Sequence, residues 1–319
     1  MPLNPLLNPE PHGVGVVGTG IMGRRMLAAL QQHPRFRTVT LWDPQPAALQ
    51  AAVHATPGAQ AADSLHALVN DPAVALVYVA SPPASHLHAV QAVMAAGRAC
   101  LCEKPLASNV DEAQALRDAV VQAGLPFAVN FPFARSPASL GLQDALRSGR
   151  IGPIEAARIT LRFAQWPRHW QAGASAWLAG ATEGGFTREV LSHFVFLALR
   201  LFGPATVQDV RLQRAPGLTE TALQACLQHA SVRVQIDAAV AGSVADENRF
   251  ELTGGGGQVA LVNWAQLEQD GALVLPRADS TPATLDALAR LLDGHADHGL
   301  ATADEALAVV RCVEAMLLP

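Results

Sequence analysis

The chain has 319 residues, of which half are apolar and 15% charged, with a formal net charge of −5. That length accommodates two domains, and that apolar share supplies a large core and excludes a disordered chain. The negative charge argues against a general nucleic-acid or membrane-surface binder, and no stretch approaches the ~20 uninterrupted apolar residues of a membrane span.

Met1 to His12 reads as a loose lead-in, with no basic region followed by a long apolar stretch, so no signal peptide is expected there. Gly13 to Val17 is a short apolar run of buried-strand type. It leads into Gly18-Thr19-Gly20-Ile21-Met22-Gly23, a G-x-G-x-x-G, and then into a helical pattern carried by Met26, Leu27 and Leu30. A second apolar run, Val39 to Trp42, ends in Asp43, about 20 residues past Gly23. Each residue has a physical reason. Gly18 permits the sharp turn, Gly20 leaves room for a pyrophosphate, and Gly23 lets helix and strand pack closely. The helix N-terminus offers free N–H groups and a partial positive charge to phosphates. Asp43 can accept hydrogen bonds from an adenosine ribose and would repel a 2′-phosphate. Dinucleotide binding is therefore expected, with NAD favoured and NADP the alternative.

Helices are predicted at 47–53 and from Asp63-Ser64-Leu65. The continuous apolar run 74–80 reads as a strand buried on both faces. It ends at Ser81-Pro82-Pro83, and the helix beyond carries His86 and His88 in its first turns. Strand 99–102 delivers Glu103-Lys104-Pro105, a helix runs from about Asn109 to Ala123, and strand 125–129 follows. Such alternation predicts a doubly wound parallel sheet with its ligand at the C-terminal strand ends, where these motifs all fall.

The pattern changes near residue 150. A helix at 137–148 is followed by alternating segments at 156–163, 207–212, 221–228, 232–238, 249–252 and 258–262. They predict a mostly antiparallel sheet with one face packed and one open. Helices are expected at 186–201, 285–292 and 303–317. The fold class is therefore α/β, divided as 1–128 for the nucleotide and 129–319, an α+β unit, for substrate binding and oligomerisation.

Cys100 and Cys102 lie on one face of a strand, and Cys226 and Cys312 stand apart. Neither a metal knuckle nor a disulfide framework is visible, which points to a reducing cytoplasm. With no H-E-x-x-H and no carboxylate cluster at ligand spacing, no metal site is expected.

Four stretches in order give the chain a resemblance to the Gfo/Idh/MocA (glucose–fructose oxidoreductase / inositol dehydrogenase) family. They are Gly18 to Gly23, Ser81-Pro82-Pro83 with His86, Ala96-Gly97-Arg98 leading to Glu103-Lys104-Pro105, and Gly184-Gly185 with His193. The resemblance implies an N-terminal Rossmann domain binding NAD(P), and a second domain whose open sheet often mediates a homodimer or homotetramer. It also implies hydride transfer to or from a hydroxyl-bearing carbon of a sugar, polyol or cyclitol. Imine or dihydrodiol chemistry on the same scaffold and a non-catalytic NAD-binding regulator are the rival readings. Thr19, Ile21, Met22, Glu103 and Lys104 fall to the cofactor side. Three positions depart from the pattern. Glu189 stands where the family has Asp, Leu191 replaces a Gly and narrows the pocket, and Asn130 begins the segment where an arginine pair is common.

Lys104 at the end of a buried strand is costly without a role. It can hydrogen-bond a reacting oxygen, or it can pair with Glu103. His193 can be a general acid/base or a satisfied core histidine among Phe194, Phe196 and Leu197. Glu189 precedes it by four residues, on one face of a regular helix, as its expected partner. His86 either packs near the cofactor or is solvated. Asn130 is a candidate substrate contact. Arg168, between Trp166 and Trp170, binds an anionic substrate group or stacks on the surface.

Overall fold

The computed structural model describes residues 10–240, 242 and 245–318, so most of the expected lead-in lies outside the described residues. The first half alternates strand and helix: β1 (His12–Val17), α1 (Ile21–Gln32), β2 (Phe36–Trp42), α2 (Pro46–Ala55), β3 (Gln60–Ala61), α3 (Leu65–Asn70), β4 (Leu76–Val79), α4 (His86–Ala95), β5 (Ala99–Glu103), α5 (Val110–Ala123) and β6 (Phe127–Asn130). The strands form one parallel sheet in the order β3-β2-β1-β4-β5-β6. Strands β4, β5 and β6 are buried at every residue, as continuous apolar runs require of a sheet covered on both faces. Local chemistry sets the helix ends. Ser64 accepts from Ala67 N–H, Asn109 accepts from Glu112 N–H, and Gly124 stops α5 in a left-handed conformation at φ +62°. The strand order reverses between β1 and β4, so the ligand crevice opens above their carboxyl ends.

The second half holds α6 (Pro137–Arg147), β7 (Ile154–Phe163), α7 (Ser175–Leu178), α8 (Ser192–Phe202), β8 (Thr206–Arg214), β9 (Glu220–Gln228), β10 (Arg233–Val240), β11 (Glu247–Gly254), β12 (Gly257–Val262), β13 (Gln266–Gln269), β14 (Ala272–Leu275), α9 (Thr281–Leu292) and α10 (Ala303–Leu317). Its eight strands run β14-β13-β12-β11-β7-β10-β9-β8, antiparallel except for the β7–β10 pair. Period-2 burial puts Ile159, Leu161, Val234, Ile236, Phe250 and Leu252 on the inner face. They share a core with Phe194, Val195 and Leu197 of α8.

Three features differ from expectation. Strands β13 and β14 are additional to the expected set: each is four residues long, β13 is mostly polar and half-buried, and β14 at the sheet's far edge is an apolar run without alternation. The single helix expected over 186–201 opens as a π-helix at Thr187–Leu191 before α8. The expected division at 128/129 falls inside β6, and the C-terminal segment returns to the first sheet. Ala301 bridges Val129, and Leu285 and Leu288 of α9 share a buried cluster with Met26, Leu27 and Leu30 of α1.

Candidate active site

The glycine loop has the division of labour its spacing predicts. Gly18 stands at φ +89°, and a Cβ there would lie 2.7 Å from backbone atoms of Ala80 and Ser81. A Cβ on Gly23 would lie 2.1 Å from Gly18 O, whereas one on Gly20 would meet nothing within 4 Å. The outer glycines therefore serve packing, and the middle one leaves open space before the N-terminus of α1, where Ile21 and Met22 form the first turn. Asp43, at the end of β2, accepts the Thr19 N–H at 2.7 Å, the Thr19 hydroxyl at 3.0 Å and the Gln45 N–H at 2.8 Å. The carboxylate thus braces the loop from below. A carboxylate offers about four lone-pair sites, so capacity for a ribose hydroxyl remains.

His86 is 1% exposed, which rules out the solvated alternative. Its Nδ1 lies 3.0 Å from Pro105 O and its Nε2 2.8 Å from Ser81 O, so the ring ties the Ser81-Pro82-Pro83 turn to the segment after Lys104. Burial pushes its pKa down, and a neutral ring donates to one of the two carbonyls at a time.

Below the cleft, Glu103 is buried and accepts from Tyr78 Oη at 2.5 Å, Asn130 Nδ2 at 2.6 Å and the Lys104 N–H at 3.2 Å. Desolvation raises its pKa, while these donors and the Lys104 charge oppose the rise. The chain's single tyrosine is thus spent on orienting one carboxylate. Asn130 uses an amide N–H in the same hub.

The Lys104 side chain does not take the expected alternative of an ion pair with Glu103. Its Nζ reaches Glu189 instead, 2.7 Å from Oε2 and 3.0 Å from the backbone oxygen, with the two side chains 7% and 19% exposed. This corrects the expected pairing of Glu189 with His193. The turn Thr187–Leu191 is π-helical, and the Glu189 carboxylate it carries is taken by Lys104 from the other domain, not by His193. Three anchors hold that turn. Thr187 N–H donates to buried Glu220 at 2.6 Å, Arg188 makes a two-pronged bond to Glu314 at 2.7 and 2.9 Å, and Ser192 Oγ donates to Arg188 O at 2.6 Å.

His193 is 6% exposed, and its ring lies 5.9, 5.8 and 5.2 Å from those of Phe131, Phe133 and Trp264. Its Nδ1 is buried without a hydrogen-bond partner among the described residues. Burial first, then the charges of Lys104 and Arg168, push its pKa well below the ordinary imidazole value. A neutral imidazole therefore shares the cleft with two cations.

Arg168 is not a lone surface residue. Its guanidinium lies over Trp166 at 5.5 Å, Trp170 at 4.8 Å and Trp264 at 5.9 Å, and its Nε donates to Gln171 at 3.0 Å. Arg25 of α1 reaches Trp170 from the first domain at 4.7 Å. Burial lowers the Arg168 pKa, opposed by the charges of Glu189 and Asp246. Sequence reasoning missed Tyr78, Glu220, Glu314 and Trp264. Only Tyr78 left a signal, as a single hydroxyl within an otherwise apolar strand. Among the described residues, no three His, Cys, Asp or Glu cluster as a metal site, and no helix is long and apolar enough to cross a membrane.

Comparison with known proteins gives two family matches. Residues 12–131 match the oxidoreductase family with an NAD-binding Rossmann fold, and residues 140–260 match the GFO/IDH/MocA C-terminal domain. The levoglucosan dehydrogenase of Pseudarthrobacter phenanthrenivorans is 30% identical over 211 residues, 60% of this chain and 51% of that protein. The chain spans about half the length of this and another of the curated relatives it matches. A dTDP-3,4-didehydro-2,6-dideoxy-alpha-D-glucose 3-reductase from Streptomyces violaceoruber is 27% identical over 302 residues, 93% of this chain and 82% of that protein. The crystal structure of an oxidoreductase from Thermotoga maritima superposes with a TM-score of 0.86 at 17% identity, over 96% of each chain.

Two outcomes follow from this geometry. Gly23→Ala should lower the thermal midpoint by several degrees, because the methyl must displace the Gly18 carbonyl. Gly20→Ala should leave the midpoint within a degree or two and weaken NADH binding, read by fluorescence titration. Stability should also fall as pH drops below about 6.5, where the unfolded chain takes up protons that buried His86 and His193 refuse. Urea unfolding at stepped pH should show each of His86→Gln and His193→Gln flattening this slope, by at most about 1.4 kcal/mol per pH unit.

Proposed function

The chain belongs to the GFO/IDH/MocA oxidoreductase family, and on that footing we propose that it moves a hydride between a nicotinamide and a hydroxyl- or carbonyl-bearing carbon of a sugar-, polyol- or cyclitol-like molecule. The observation that carries this reading is the Lys104–Glu189 pair, closed at 2.7 Å beside a neutral, buried His193.

The glycine loop, Thr19, Ile21 and Met22 hold the cofactor phosphates, and Asp43 holds the adenosine ribose. The carboxylate at that position favours NAD over NADP. Ser81, Pro82, Pro83 and His86 shape the floor, with Glu103 setting the direction of Lys104. The bound nicotinamide supplies the hydride acceptor or donor. The Lys104 ammonium hydrogen-bonds the reacting oxygen and stabilises the charge that grows there as its proton leaves. His193, kept neutral by its surroundings, accepts that proton. Glu189 balances the lysine charge and is displaced from it, in part, when the substrate oxygen arrives. Arg168 lines the substrate side, whereas Asn130, expected as a substrate contact, is buried on Glu103 and supports the lysine from below. The aromatic wall around His193 also suits a dihydrodiol, the second reading on this scaffold.

The outer face of the second sheet supports a homodimer, with a tetramer as the larger form. It carries Arg158, Arg162, Arg211, Gln235 and Asp237 around a cavity of about 780 Å³. All four cysteines are free and buried, which supports a reducing cytoplasm as the working compartment.

Following NADH absorbance across a polyol and sugar panel tests the assignment. Lys104→Ala should lower kcat/KM by about 10² to 10³-fold and Glu189→Gln by less, both with NADH affinity retained. The acid limb of the oxidation profile should lie below the ordinary histidine range, since His193 stays unprotonated there. Near-normal turnover by Lys104→Ala would end the proposal. Arg162→Glu should shift the assembly toward monomer by light scattering, and an unchanged mass would remove that face as the interface.

A further inference from the structure

We infer that Trp264 is a specificity-determining wall of the substrate pocket, fixed by a strained turn so that ring-shaped polyols stack on its indole. The inference rests on the oxidoreductase reading above and names the shape of molecule that reading leaves open.

Trp264 lies in the turn between β12 and β13, closed by Ala265 N–H donating to Val262 O at 3.3 Å. Asn263 and Trp264 both have positive φ, +49° and +72°. Tight hairpin turns with two positive φ values prefer Asn followed by Gly, because only glycine enters the second position without steric cost. The first position holds its preferred residue. The second holds the bulkiest side chain available, in a backbone region that β-carbon sterics oppose. Turn formation alone would select glycine here, so the indole answers another demand. Strained residues of this kind persist where surroundings over-determine them, and they cluster at functional sites.

The over-determination is visible. Asn248 is 6% exposed, its Oδ1 accepts the Trp264 N–H at 2.7 Å, and its backbone oxygen accepts the Asn263 N–H at 2.9 Å. One buried asparagine thus fastens both strained residues. The indole is delivered edge-on to His193, with centroids 5.2 Å apart and planes at 88°. It also meets Phe133 at 5.9 Å and Phe194 at 5.8 Å, and the Arg168 guanidinium lies over it at 5.9 Å. Trp264 is only partly buried, and it stands beside His193.

The chemistry of such a wall is selective. A pyranose or cyclitol presents a rigid patch of C–H groups on one face, which an indole covers, while its rim hydroxyls stay free for Lys104 and His193. An open-chain polyol has the same hydroxyls but no fixed apolar face, and it loses more rotational freedom on binding.

The test uses the full chain with NAD and four probes: myo-inositol, D-glucose and levoglucosan as rings, and D-sorbitol as the open chain. Steady-state kcat and KM are measured, and ligand binding to the NADH complex is read by saturation-transfer NMR. Trp264→Ala should raise KM for the bound rings about tenfold, with kcat changed less than about threefold and the sorbitol value nearly unmoved, an effect the size of one aromatic contact. Trp264→Phe should recover most of the loss. Asn248→Ala, which keeps the indole but frees the turn, should shift KM the same way. A purely structural indole would lower the thermal midpoint and affect rings and sorbitol alike, which overturns the inference. So does the absence of ring-polyol binding to the wild-type NADH complex. Ring binding that Trp264→Ala abolishes, without turnover in any variant, upholds the wall and rejects the oxidoreductase reading instead.

Discussion

The site depends on one charged contact that joins the two halves of the chain. Lys104 extends from the last residues of the nucleotide-side sheet, and Glu189 descends from the π-helical turn of the second domain to meet it. Both are largely withdrawn from water, so each needs the other. Removing one partner of a buried pair costs about 3–5 kcal/mol, whereas the intact pair contributes little net stability. Its value is therefore positional. The pair bridges the two domains at the point where chemistry is placed.

Around that contact the polar residues form two braces. On the nucleotide side, Tyr78 and Asn130 load both their donors on Glu103, which fixes the backbone from which Lys104 departs. On the other side, Glu220 and Glu314 grip the residues flanking Glu189. The first brace is a buried carboxylate with a donor on each oxygen; in the second, Glu220 is buried and Glu314, partly buried, takes both prongs of Arg188. His193 is the exception. Its Nδ1 sits buried among aromatic edges with no hydrogen-bond partner among the described residues, in the same cleft as Lys104 and Arg168.

Much of this arrangement was legible from local rules. The glycine spacing, the acid after β2, the helix caps at Ser64 and Asn109 and the Glu-Lys-Pro run each express chemistry within a few residues, and the fold follows them. The capping box of α10, with Thr302 and Glu305 bonded reciprocally, belongs to the same class. What escaped depends on distant partners. Four-residue spacing assigned Glu189 to His193, and nothing within that helix announces Lys104, which reaches the carboxylate from the other domain. Trp264 escaped because an unfavourable residue in a turn looks like noise until Asn248 is seen holding it. The division at 128/129 followed a change of pattern, and no local pattern announces that α9 will return to α1.

That return has a consequence for how the polypeptide is made. Met26, Leu27 and Leu30 form an apolar stripe on the first helix, and their cover comes from Leu285 and Leu288, some 250 residues later. His33 and Arg35 likewise wait for Asp286 and Asp293. During synthesis the nucleotide domain is made with a sticky flank open, and it stays open until α9 has been made. Helix α9 acts as a clasp, and biogenesis remains vulnerable to self-association until it closes.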